Sequence, residues 1–74
     1  MAIVRKLERI TLERGTSHTE VNCTYSIIQD DDGKSIQIDT YGSAHRKMPD
    51  KKSQSIRFSP EAIAQLRKIL SEEL

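Results

Sequence analysis

Ser35-Ile-Gln-Ile-Asp-Thr-Tyr41, then Gly42-Ser-Ala-His-Arg-Lys-Met-Pro-Asp-Lys-Lys-Ser53, then Gln54-Ser-Ile-Arg-Phe58 is the stretch that decides the fold. It reads as a strand, a long basic loop and a second strand. In the first strand Ile36 and Ile38 face one way, and Gln37, Asp39 and Tyr41 the other. In the second, Ile56 and Phe58 oppose Ser55 and Arg57. The loop carries Arg46, Lys47, Lys51 and Lys52 against one acid, Asp50. A loop of twelve residues is long for so short a chain, and long loops are often functional or disordered.

Upstream, Val21, Cys23, Tyr25 and Ile27 alternate with Asn22, Thr24 and Ser26, predicting a strand over about His18 to Gln29. Tyr25 and Cys23 are expected in the core on this spacing. Asp30-Asp31-Asp32-Gly33 ends the strand and reads as a hairpin turn, because glycine takes positive φ without steric cost. It lacks the later bidentate glutamate of a calcium loop. The next strand runs from about Lys34 to Tyr41, and the one after the loop from about Gln54 to Phe58.

Ile3, Leu7 and Ile10 have helical spacing, but Ile10 and Leu12 alternate with Thr11 and Glu13. Gly15-Thr16-Ser17 then marks a turn. The expectation is a strand from about Val4 to Arg14, hairpinned to the one after it.

After Phe58 the period changes. Ser59 suits an N-cap, Pro60 the first helical position, and Glu61 the positive helix end. Ala62, Ile63, Leu66, Ile69 and Leu70 make an apolar stripe, while Gln65, Arg67, Lys68, Glu72 and Glu73 face out. A helix is predicted over about Pro60 to Glu73. The expected fold class is α+β: a four-stranded antiparallel β-meander followed by one C-terminal α-helix. The helix covers one sheet face. The other carries Asn22, Thr24, Ser26, Gln37, Asp39, Tyr41 and Arg57.

The 74 residues are read as a single small domain, 1–74. So short a chain buries little surface and gains from packing, cross-links or association. Cys23 is the single cysteine, which excludes an intrachain disulfide, and two histidines far from it do not build a zinc site. Self-association as a homodimer is therefore expected. The lone thiol, the lack of an apolar run of membrane length and the lack of a signal-peptide pattern point to a cytoplasmic protein with no membrane partner.

Net charge is only +1, but charge is segregated. Gly42 to Phe58 holds five Lys/Arg and one acid, a net of +4, whereas Gln29 to Asp39 holds four Asp and one Lys, a net of −3. Catalysis is not indicated. His45 has no carboxylate or nucleophile at a committing distance, His18 stands at a strand start, and three glycines build no phosphate loop. No cofactor is implied.

Four antiparallel strands followed by one helix resemble the core of the transcriptional positive cofactor four family and its small bacterial relatives. The resemblance spans residues 35 to 70. It is carried by Ile36-Gln37-Ile38-Asp39-Thr40-Tyr41, the lysine-rich turn Pro49-Asp50-Lys51-Lys52, and Ser55-Ile56-Arg57-Phe58-Ser59-Pro60-Glu61. This chain departs from the family at Asp50 and Ser53-Gln54, where glycines are usual, and at Tyr41, where tryptophan is frequent. The resemblance implies a homodimer that binds single-stranded or melted DNA on its sheet. It carries over Tyr41, Lys51, Lys52 and Arg57.

Single-strand binders need cations along the phosphates and exposed rings for base stacking. The candidate nucleic-acid-binding residues are therefore Tyr41, Arg46, Lys47, Lys51, Lys52 and Arg57, and the expected partner is single-stranded nucleic acid. The alternative is a small non-enzymatic protein-interaction module with a protein partner. It is motivated by the near-zero net charge and the acidic Asp30–Asp32 tip.

Overall fold

The computed structural model describes residues 2–13, 15, 17, 18, 20–42 and 52–74. Its elements are β1 (Ala2–Val4), β2 (Cys23–Asp30), β3 (Gly33–Tyr41), β4 (Lys52–Phe58) and α1 (Pro60–Glu73). The four strands form one sheet in the order β1-β4-β3-β2, and α1 follows, so the class is α+β. No described helix is long and apolar enough to cross a membrane.

The expected meander is corrected at its start. The sheet is mixed: β2, β3 and β4 are antiparallel neighbours, but β1 pairs parallel to β4 on the far edge. No strand runs from Val4 to Arg14 among the described residues, and β2 begins at Cys23 rather than His18. The physical cause lies at Val4. Its carbonyl accepts a 3.0 Å hydrogen bond from the Ser59 N–H just before the helix. The chain then leaves the sheet, and Gln65 holds it. The Leu7 N–H donates to Gln65 Oε1 at 2.9 Å, and Gln65 Nε2 donates back to the Leu7 carbonyl. Gln65, expected to face solvent, is thus a half-buried clamp.

The β2–β3 hairpin forms where expected. Asp30 pairs with Gly33, leaving Asp31 and Asp32 as the loop. Among the described residues Gly33 alone carries positive φ, +117°, and the Asp32 N–H donates to Asp30 Oδ1 at 2.9 Å in an Asx turn. A Cβ at Gly33 would sit 3.4 Å from Pro60 Cγ, so backbone and helix start both favour glycine here.

Residues paired across strands share a face. One face therefore carries Ile27, Ile36, Phe58 and Val4, with Tyr25, Ile38, Ile56 and Ala2 beside them. α1 packs on β3 and β4 and reaches this face at its Ile36 end. There Ile63 and Ala64 line a cleft of about 430 Å³ with Ile27 and Ile36. Ala62 is the one fully buried apolar residue among those described. Tyr25 and Cys23, expected in the core, are exposed, Tyr25 to 72%. β2 is the outer strand, and the helix does not cover it. Leu70, expected in the buried stripe, is also exposed.

The helix start is well built. Ser59 is extended and buried, and its hydroxyl accepts the Ala62 N–H at 3.2 Å. Pro60 occupies the first turn, where its missing N–H costs nothing. Arg5 reaches Asp32 and Glu61 at 3.5 and 3.9 Å, exposed pairs that contribute little to stability. Replacing Ser59 by Ala removes the cap and is expected to lower stability by about 1 kcal/mol. That is a fall in Tm of roughly 4–8 °C for a domain of this size. A thermal melt read by far-UV circular dichroism checks it.

Candidate nucleic-acid interface

The second sheet face is polar. Register places Gln37 opposite Arg57 and Asp39 opposite Ser55. On the other side Ser26 faces Gln37 and Thr24 faces Asp39. The Cβ alternation of β3 adds Tyr41 to the same face.

Lys52 arrives there by a bulge. Thr40 pairs with Gln54, but Tyr41 pairs with Lys52, so Ser53 is the extra residue on β4. In an unbroken ladder Tyr41 would face Ser53, and Lys52 would point to the apolar side. The extra residue turns Lys52 onto the polar face and bends the strand end.

The side chains on this face form a connected chain. Arg57 Nε and Nη2 donate to Gln37 Oε1 at 3.2 and 2.7 Å. Gln37 Nε2 donates to Asp39 Oδ1 at 3.1 Å. The Ser55 hydroxyl donates to the same oxygen, and Lys52 Nζ lies 3.2 Å from Asp39 Oδ2. Thr24 Oγ1 and Tyr41 Oη are 3.0 Å apart. Asp39 itself is 2% exposed. No described buried side-chain nitrogen or oxygen lacks a partner.

This network sets the Asp39 carboxyl below its ordinary value of 3.8. The Ser55 hydrogen bond is the largest cause, with Gln37 and Lys52 adding to it and desolvation opposing. Such bonds favour the charged form. The Glu61 carboxyl is also lowered, first by the Ser59 hydrogen bond.

Of the six candidate residues, Tyr41, Lys52 and Arg57 come together on this one face. Tyr41 and Arg57 are half-buried, and the Lys52 side chain is 57% exposed although it pairs with Asp39. Arg46, Lys47 and Lys51 lie outside the described residues. So does His45. Sequence reading missed the partner role of Gln37, Asp39 and Ser55. Their signal was the alternation itself, which set Gln37 and Asp39 on the polar face. No group of His, Cys, Asp and Glu suited to a metal occurs among the described residues.

Compared with family models, with curated proteins and with solved structures, the chain finds no match.

The Asp39 network has a pH signature. A carboxylate with a depressed folded-state value stabilises the fold fully above its unfolded value, and this is lost as pH falls through the folded one. Stability is therefore expected to drop as pH falls below 3.8. Asp39→Asn should be less stable at neutral pH and show a shallower acid dependence. Urea unfolding at stepped pH checks both. An unchanged acid limb in the variant would assign the dependence to other carboxylates.

Proposed function

We propose that the polar sheet face is a binding surface for single-stranded nucleic acid, contributed by a small non-enzymatic DNA-accessory module. The observation that carries the reading is the convergence of Tyr41, Lys52 and Arg57 on one face, opposite the helix. A ring with one cation beside it and a second four residues along the same face suits base stacking and phosphate contact. The half-buried guanidinium is held by Gln37, so part of its ordering cost is met before any ligand arrives. Two of its five N–H donors go to Gln37, and the remaining ones suit a phosphate. Of the residues that resemble the transcriptional positive cofactor four family, Ile36 to Tyr41 and Ser55 to Phe58 lie in the two central strands and Pro60 and Glu61 start the helix, which adds support.

Charge balance limits the affinity. Lys52 shares its charge with Asp39, so phosphate attraction also calls on Arg57 and on Arg46, Lys47 and Lys51 of the connecting stretch. The expected binding is modest, weakens with salt and favours unpaired strands, whose bases are open for stacking.

Fluorescence anisotropy of a labelled single-stranded oligonucleotide tests the reading. Tyr41→Ala is expected to weaken binding by about 1–3 kcal/mol. Lys51→Ala with Lys52→Ala should weaken it at all sequences and reduce the slope of log K against log salt by roughly 0.7 per lost contact. Wild-type affinity in both variants would sink the proposal.

A further inference from the structure

We propose that Thr24 is the positioning residue of the polar face: its hydroxyl holds the Tyr41 ring down on the sheet as a platform for one unpaired base. The role rests on the polar face binding single strands. Thr24 Oγ1 and Tyr41 Oη are 3.0 Å apart, and either hydroxyl can donate. Thr24 pairs with Asp39, while the Tyr41 N–H donates to the Asn22 carbonyl at 3.1 Å. The two side chains are therefore diagonal neighbours on adjacent strands, a separation that an aromatic side chain spans. This contact fixes the attitude of the ring. The threonine oxygen is one bond beyond its Cβ, close to the sheet. A tyrosine standing upright from β3 would carry its hydroxyl a full ring's length above that oxygen. To meet it, the Tyr41 side chain leans across to β2 and lies along the sheet. Tyr41 is half-buried, as expected of a ring with one face on the sheet and the other open.

A tether at the far end of a side chain fixes its torsions. Among the described residues Thr24 is the one hydrogen-bond partner of the Tyr41 hydroxyl. Without it, the ring at the end of β3 is free to exchange between staggered χ1 rotamers. A stacking face that is already oriented loses less freedom when a base arrives. The sheet itself does not need this hydroxyl. Thr24 is exposed and on the outer strand, where valine suits the backbone at least as well. Tyr25, next in sequence, gives the contrast. It stands on the apolar face, is 72% exposed and makes no hydroxyl hydrogen bond among the described residues. Of the chain's two tyrosines, the one on the polar face is the one held. Every base has a π-face, so a fixed ring accepts any base but gives nothing to a strand that has none. The ligand of the Thr24–Tyr41 pair is therefore a base-bearing single strand, and a bare polyanion does not use it.

Thr24→Val removes the hydroxyl and keeps the side-chain shape, whereas Thr24→Ser keeps the hydroxyl. Circular dichroism of both should match the wild type. In the free protein, NMR couplings between Tyr41 Hα and Hβ report the χ1 rotamer. A single rotamer is expected in the wild type and in Thr24→Ser, and averaged couplings in Thr24→Val, with Tyr25 as the untethered reference in the same spectra. Binding is read by anisotropy with a labelled oligothymidylate of about eight nucleotides and with an abasic strand of the same length. Thr24→Val is expected to weaken oligothymidylate binding roughly three- to tenfold, the span of one lost hydrogen bond. It should leave the abasic strand unaffected and add nothing to Tyr41→Ala. Thr24→Ser should bind as the wild type does. Averaged Tyr41 couplings in the wild type would overturn the tether. Unweakened binding by Thr24→Val, or equal weakening on both strands, would overturn the positioning role while leaving the binding surface in place. A wild type that binds neither strand at low salt would overturn the surface and this role with it.

Discussion

A carboxylate sits buried in the central strand of the sheet, and the polar face is arranged around it. Asp39 is 2% exposed. A buried charge is costly unless it is paired and hydrogen-bonded. Ser55 lies directly opposite, Gln37 two residues away on the same face, and Lys52 is turned towards it by the bulge at Ser53. Without the bulge, Lys52 would point to the other side and the carboxylate would lose its cation. Gln37 in turn passes the connection to Arg57. One ionised group thereby orders a lysine, a glutamine and an arginine across two strands.

The same network bears on the proposed binding surface. Side chains already held by hydrogen bonds lose less freedom when a ligand arrives. The cost is that Lys52 offers only part of its charge outward. Arg57, held by a neutral glutamine, keeps its full charge for a phosphate. The near-neutral total of +1 is thus no bar to local attraction, because charge is unevenly spread: three acids, Asp30, Asp31 and Asp32, stand together at the hairpin tip, away from Arg57.

Most of the centre of the fold was legible in the sequence. The alternation in β3 and β4, the Asp-Gly turn and the Ser59-Pro60-Glu61 helix start are local signals, and each marks an observed element. The membership of the polar face followed from the same alternation. What was not legible depends on distant pairing. β1 lies parallel to β4, more than fifty residues away, and a parallel edge strand leaves no turn between the partners. The Ile10–Leu12 alternation suggested a strand, but both side chains are exposed, and the chain docks on Gln65 earlier, at Leu7. The bulge at Ser53 has no local mark in Lys51-Lys52-Ser53-Gln54. Alternation assigned Tyr25 and Ile27 to the right face, but it does not report how far a single helix extends across that face.

The central claim is that the polar face, and not the apolar one, meets single-stranded nucleic acid. The most direct measurement is a two-dimensional amide NMR titration of the protein with an unlabelled single-stranded oligonucleotide, at low salt and again at moderate salt. The account predicts shifts concentrated at Thr24, Gln37, Tyr41, Lys52 and Arg57 that fade as salt rises, with Tyr25 and Ile27 unmoved. Shifts absent altogether at low salt, or confined to the helix and the apolar face, would contradict it.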